Sequence, residues 1–184
     1  MLSTMATSPN ATTQYTSEQF VESCGAIVFD LTNPSKKTVC LIHYRAKNEW
    51  MIAKGRRNCG ESRHETALRE AREETGYKAH LHPVTMNTRA PPVDEQGRMP
   101  DTPRSYADLT EPFMVTMRQL GREKGNDVKI IWWYIAALDE GVVVGSEEGE
   151  EEFTPTFFPL EEAVQKLSFQ NDRNVLEKAI SLAA

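Results

Sequence analysis

The chain has few cysteines, no excess of positive charge and no long apolar run, and each shortage closes off a class of protein. Cys24, Cys40 and Cys59 are odd in number and far apart. That pattern offers neither a disulfide framework nor a metal-site or redox spacing, and it points to reduced thiols in a cytosolic or nuclear protein. Lysine and arginine total 21 against 27 aspartates and glutamates, a formal net charge of -6. Such a balance disfavours general nucleic-acid or membrane-surface binding, so neither a stable nucleic-acid partner nor a membrane is expected. Any anionic ligand would need a local basic pocket inside an acidic protein. No apolar stretch approaches the ~20 residues of a membrane span. The start, Met1-Leu2-Ser3-Thr4-Met5-Ala6-Thr7-Ser8-Pro9, lacks an apolar segment behind a basic one, so a secretory signal is not expected.

What is present suits one globular domain: 184 residues, 39% hydrophobic and 26% charged. Residues 1–20, rich in Ser, Thr, Asn and Gln, read as a flexible arm, and 21–184 as the domain. Apolar and β-branched runs predict strands over Val21–Leu31, Thr38–Tyr44, Glu49–Ala53, Ala79–Thr88, Glu111–Met117, Val128–Leu138 and Phe153–Phe158. The aromatics of Ile130-Ile131-Trp132-Trp133-Tyr134-Ile135 read as packing rather than as a stacking platform. Helical spacing predicts helices over Glu61–Thr75, stopped by Gly76, and over Leu160–Leu167 and Asn174–Leu182. The long stretch from Arg89-Ala90-Pro91-Pro92 to Thr110 reads either as a substrate-facing loop or as a mobile insertion.

The chemistry is concentrated in one segment, Gly55-Arg-Arg-Asn-Cys-Gly-Glu61, then seven residues, then Arg69-Glu70-Ala71-Arg72-Glu73-Glu74-Thr75-Gly76-Tyr77. On a helix Glu70, Glu73 and Glu74 stand at i, i+3 and i+4 and project from one face. Adjacent carboxylates repel one another unless a positive charge sits among them. Hard oxygen donors at that density suit Mg²⁺ or Mn²⁺, with phosphate oxygens completing the coordination. Arg69, one turn before Glu73, can tether it and leave its neighbours free for metal. The glycine loop lets backbone groups approach metal and phosphate closely.

This segment resembles the Nudix signature, Gly-x5-Glu-x7-Arg-Glu-U-x-Glu-Glu-x-Gly-U with U apolar. Gly55, Glu61, Arg69, Glu70, Ala71, Glu73, Glu74 and Gly76 match it, and Tyr77 in the last apolar position departs from it. The resemblance implies an α/β fold, an α/β/α sandwich around a mixed β-sheet. It implies a hydrolase of diphosphate linkages that uses Mg²⁺ or Mn²⁺, with Glu70, Glu73 and Glu74 as catalytic, metal-holding carboxylates. It also implies the carbonyl of Lys54 as a further metal ligand, and orienting roles for Glu61 and Arg69. A further acidic ligand often lies outside the box in this family, and the run Glu147-Glu148-Gly149-Glu150-Glu151-Glu152 offers one; its other reading is a solvated acidic loop.

Flanking residues bear on the substrate. Trp50-Met51-Ile52-Ala53-Lys54-Gly55 resembles the Trp-x-x-Pro-Lys-Gly lead-in of diphosphoinositol polyphosphate and diadenosine polyphosphate hydrolases, with Ala53 in place of the proline. Lys47, Lys54, Arg56, Arg57, Arg63 and His64 gather round the loop, as a polyphosphate would require. Lys54, Arg56 and Arg57 are the substrate-binding candidates among them, and Lys47 and Arg63 read as surface charge. Phe157-Phe158-Pro159-Leu160-Glu161-Glu162-Ala163 resembles the last strand and helix entry of the same branch, and Arg173 falls where that branch places a basic contact. The expected partner is thus a small anionic phosphorylated substrate, preferably a diphosphoinositol polyphosphate. One competing reading, from Pro91-Pro92, is an ADP-ribose or nucleotide-sugar pyrophosphatase. A silent Nudix module that binds RNA or protein is the alternative of another class, but the box has lost none of its glutamates. An mRNA cap hydrolase finds no supporting basic tail.

Overall fold

The computed structural model describes residues 10–92, 100–121, 127–144 and 149–183. Its elements are β1 (Phe20–Asp30), β2 (Thr38–Tyr44), β3 (Glu49–Met51), β4 (Lys54–Arg56), α1 (Arg63–Thr75), β5 (Ala79–Leu81), β6 (Val84–Thr88), β7 (Arg104–Leu109), β8 (Met114–Gln119), β9 (Val128–Leu138), β10 (Phe153–Pro159), α2 (Leu160–Lys166) and α3 (Gln170–Ala183). The main sheet is mixed. β1 runs parallel to β9 from Phe20↔Val128 to Phe29↔Ala137, and the remaining pairings are antiparallel.

Alternation along β1 and β9 sends side chains into two cores. Cys24, Ala26, Val28, Tyr134 and Ala136 pack under Ala67 and Ala71 of α1. Ile27, Phe29, Ile131, Trp133 and Ile135 pack under Ala163, Val164, Leu167, Val175, Leu176 and Ala179 of α2 and α3. Both strands are covered on both faces, which is why they read as nearly continuous apolar runs. Each large side chain so buried contributes about 1.5–3 kcal/mol. The expected α/β/α layering is the observed one.

The sheet forks, and the fork positions the site. At the C-terminal half of the β1·β9 pair the flanking strands are β2 and β5. At the N-terminal half β4 lies against β1 through Ser23↔Arg56 and Gly25↔Lys54, and β8 lies against β9.

Several expected boundaries move for local reasons. The single strand over Ala79–Thr88 is two, β5 in the main sheet and β6 in a two-stranded sheet with β7. Pro83 lacks the N–H that would continue the first ladder. The strand predicted over Glu111–Met117 starts at Met114, past Pro112, and runs to Gln119. β7 falls inside the stretch expected to be a loop; its sequence, RSYADL, has too little apolar alternation to show on its own. Residues 93–99 of that stretch lie outside the described residues. So do residues 1–9 of the expected arm, while Gln19 already joins the sheet, its carbonyl accepting the Val128 N–H at 2.8 Å. α3 starts at Gln170, so Asn171, Asp172 and Arg173 form its first turn instead of preceding it.

Candidate active site

α1 is fixed at both ends by its own sequence. Ser62 caps it: Oγ accepts the Glu65 N–H at 3.3 Å and Glu65 Oε2 accepts the Ser62 N–H at 2.9 Å. Gly76 ends it with φ 79°, a left-handed turn suited to glycine, and its N–H donates to the Arg72 carbonyl at 2.7 Å. Tyr77, the departure from the signature, is 2% exposed and stacks edge-on against Phe157 at 5.3 Å, so its ring serves as the apolar group.

Arg69 ties the segment together. Its Nε and Nη2 donate to Glu61 at 2.7 and 3.0 Å, Nη1 to Glu70 at 2.7 Å and to Glu73 at 2.8 Å, and Nη2 to the Arg56 carbonyl at 3.0 Å. The expected tether to Glu73 is present. Glu70, expected to be left free, is bound as well, because the glycine loop packs it beside the guanidinium. Donation from Arg69, helped by the Asn58 N–H and Thr66 hydroxyl, holds the Glu61 carboxyl down to about 2.

The box glutamates do not share one environment. Glu73 is open to solvent, whereas Glu70 and Glu74 turn inward against β4. Glu70 abuts Gly55, where a Cβ would overlap its carboxylate, which accounts for glycine at that position. Glu74 is 9% exposed, and its Oε2 accepts the Lys54 N–H at 2.8 Å. Burial pushes the Glu74 carboxyl up to about 7, and the charges of Glu70 and Glu150 add to that against the help of Lys54. Burial raises Glu70 too, more than Arg69 lowers it.

Glu150 comes from the acidic run. Its N–H donates to the Glu73 carbonyl at 2.9 Å, and Gly149 packs so closely on the Glu74 carbonyl that a side chain there would collide. Gly149 and Glu150 are thereby docked on the end of α1, and the Glu150 charge reaches both Glu70 and Glu74. Glu147 and Glu148 lie outside the described residues. Among the described residues no three acidic, His or Cys side chains already converge as a metal cage. Arg69 holds one oxygen each of Glu70 and Glu73.

The basic candidates separate. Lys54 has its backbone fixed between Glu74 and Gly25 of β1, with Nζ donating to the Ile52 carbonyl at 3.3 Å. Arg56 is exposed on the same edge. Arg57 is committed elsewhere: Nε donates to Glu22 at 2.9 Å, and Nη1 to the carbonyls of Glu61 at 2.9 Å and Asn58 at 3.3 Å. It braces the loop against β1. Arg173 is likewise committed, with Nε and Nη2 on the Leu167 carbonyl at 2.9 and 2.8 Å, capping the end of α2. Arg63 pairs with Glu22 at 2.7 Å and lies 4.1 Å over the Trp132 ring.

Glu22 escaped the sequence reading. It accepts Arg57, Arg63 and the Trp132 Nε1–H at 2.9 Å, and so locks the loop to β1 and β9. Burial works to raise its carboxyl, but the donors outweigh it and the net shift is downward. A lone glutamate at the edge of a strand gave no signal, because its partners come from three separate elements.

Comparison with known proteins accords with this arrangement. The family model for the NUDIX domain matches residues 23–179. Among solved structures, a C. elegans Ap4A hydrolase is similar with a TM-score of 0.55 at 15% identity, covering 88% of this chain and 97% of that one. A NUDIX hydrolase from Nitrosomonas europaea gives 0.56 at 10% identity, covering 88% of each chain. The E. coli dihydroneopterin triphosphate pyrophosphohydrolase gives 0.52 at 11%, covering 87% of this chain and 95% of that one. At such identities the likeness establishes the fold alone. Comparison with curated protein sequences gives no match.

Proposed function

The chain belongs to the NUDIX-domain family, and from that premise we propose that it is a metal-dependent diphosphatase preferring diphosphoinositol polyphosphates, with long diadenosine polyphosphates as a second group. Its catalytic domain begins with β1, at Phe20. The observation that carries the reading is the placing of Glu70 and Glu74 against β4, with Glu150 brought beside them by a loop docked on α1.

Nudix hydrolases act on diphosphate-containing substrates and generally use divalent metals such as Mg²⁺. The donor set here fits such a cation: carboxylates of Glu70, Glu73, Glu74 and Glu150, and the Lys54 carbonyl, are hard oxygen ligands. Mg²⁺ or Mn²⁺, when bound, neutralises charge developing on phosphorus and lowers the pKa of the attacking water. The residues themselves do the positioning. Glu61 and Arg69 hold the loop on α1, and Gly55 lets backbone and phosphate approach Glu70. Glu74 is anchored by the Lys54 N–H at 2.8 Å, which fixes where its carboxylate stands. Lys54 and Arg56 face incoming phosphates.

The aromatic usage supports a phosphate-rich substrate over an adenosine-recognising one. Trp132 is covered by Arg63 and hydrogen-bonded to Glu22, and Trp133 is 1% exposed, so neither ring is open for a base. A substrate panel read by product tests the choice. Diphosphoinositol polyphosphate should release inorganic phosphate, and ADP-ribose should give AMP and ribose phosphate. We expect the first reaction at clearly higher catalytic efficiency under one metal and salt condition. The reverse order would overturn the substrate assignment and leave the family standing.

A further inference from the structure

On the face of the sheet away from α1, the register brings together residues that lie far apart in sequence. Gly25 of β1 pairs with both Lys54 and Trp133, Ser23 pairs with both Arg56 and Ile131, and Lys129 pairs with both Val21 and Arg118. Side chains of paired residues share a face. Lys54, Arg56, Lys129 and Arg118 therefore rise from one surface of β4, β1, β9 and β8. The apolar core under α2 and α3 ends at Ile131 and Trp133, and beyond them this face turns basic.

Its floor is rigid. The Trp133 ring packs on Gly25, where a Cβ would stand 2.6 Å from ring carbon Cζ3, and the Trp133 Nε1–H donates to Thr116 Oγ1 at 3.0 Å. Among the described residues none of the four cations has a carboxylate within ion-pair distance. The acid overhead is Asp172 in the first turn of α3, buried at 3% exposure and accepting the Ile52 N–H. Beneath the cations Ser23 is wholly buried, and among the described residues its hydroxyl is the buried side-chain group without a hydrogen-bond partner. Buried polar groups are rarely left so. The chain carries -6 overall, so an unpaired basic cluster runs against its general charge and focuses potential locally.

We propose that this face is a recognition subsite for substrate phosphates other than the diphosphate that is cleaved, with Lys129 and Arg118 as its principal donors and Lys54 and Arg56 joining it to the box. The proposal rests on the diphosphatase reading above and names what that reading leaves open, how a phosphate-crowded substrate is distinguished from a compact one. Lys54 links the two regions: its backbone N–H binds Glu74 on the α1 side, while its side chain belongs to this face. Burial, and then the neighbouring Lys54, Arg118 and Arg56, hold the Lys129 ammonium below its ordinary range. An anion bound there relieves that repulsion.

The test uses the full chain and inositol hexakisphosphate, a polyanion with no diphosphate to cleave, titrated calorimetrically in EDTA at low salt. Lys129→Met with Arg118→Gln should weaken binding tenfold or more, as expected when two charge-assisted contacts are lost. Lys36→Met with Lys37→Met removes the same charge from an exposed turn, and binding should stay within twofold. Lys129→Arg with Arg118→Lys keeps the charge and should keep most of the affinity. No binding by the parent chain, equal losses in the two charge-removing pairs, or an equal loss in the charge-keeping pair would each overturn the proposal. In turnover, the Lys129→Met, Arg118→Gln pair should raise KM about tenfold for a diphosphoinositol polyphosphate, leave its kcat within twofold, and leave ADP-ribose unaffected. Absence of turnover on both substrates by the parent chain sinks the diphosphatase reading, and the calorimetric result then decides the subsite alone.

Discussion

Replacing Glu74 by Gln removes a charge that the fold holds unfavourably. The carboxylate is 9% exposed, has one backbone donor, and stands within reach of the charges of Glu70 and Glu150. Its folded pKa is raised, from the ordinary 4.5 to about 7. A group shifted this way favours the folded state fully below the unfolded value, and that advantage is lost as pH rises from 4.5 to 7. At about 1.36 kcal/mol for each tenfold change in proton affinity, the loss is roughly 3 kcal/mol by pH 8. An amide does not titrate, so Glu74→Gln escapes the loss. Its NH₂ group, short of an acceptor, takes back about 1 kcal/mol. In urea melts with EDTA the variant should fall about 1 kcal/mol below the parent chain at pH 4 and exceed it by about 2 kcal/mol at pH 8. Activity should move the other way, falling roughly 10²-fold or more with the lost electrostatic stabilisation. Saturating Mg²⁺ should restore the order by stabilising the parent chain, by about 2.7 kcal/mol at 100 times its Kd. A variant no more stable than the parent in EDTA at pH 8 would falsify the burial argument. Near-native activity would remove Glu74 from the chemistry.

Four further substitutions probe the surroundings. Gly55→Ala must displace the Glu70 carboxylate, so hydrolysis should drop at least tenfold while the helical circular dichroism signal is kept; full activity would show that Glu70 need not sit there. Arg56→Ala should raise KM mainly for the most highly charged substrates, an effect narrowed by salt, whereas Arg57→Ala, by freeing Glu22 and the loop, should lower kcat/KM alike for compact and crowded substrates. Identical profiles for the two variants would contradict the division of labour between them. Ser62→Ala removes a helix cap and should cost about 1 kcal/mol of stability in thermal or urea melts, and a loss under 0.3 kcal/mol would mean that tertiary packing alone holds the start of α1.

The elements legible from sequence are those whose signals are local. Alternation and β-branched content sufficed for β2 and β9, and helical spacing with Gly76 as a stop sufficed for α1 within its first turn. The spacing of Gly55, Glu61, Arg69, Glu70, Glu73, Glu74 and Gly76 sufficed for the family. Where a proline redirected the chain, as at Pro83 and Pro112, the strand was found and its limits were not. β7 was missed because its pairing with β6, rather than its composition, makes it a strand.

Tertiary structure decided which of the marked residues are available. Arg56 and Arg57 are adjacent and chemically alike, yet alternation turns one toward open solvent and the other onto Glu22, a residue 35 positions away. Arg173 is spent on a helix end six residues before it. The three box glutamates follow one helical spacing, but β4 covers only part of α1, so Glu74 is buried, Glu70 half-buried and Glu73 exposed. The gathering of Lys54, Arg56, Lys129 and Arg118 depends on the parallel pairing of β1 with β9, a contact across more than a hundred residues of chain. Sequence determines short-range order because propensity and periodicity act within a turn or a strand. Charge environment is set by what distant segments bring within a few ångströms, and only the folded chain fixes that.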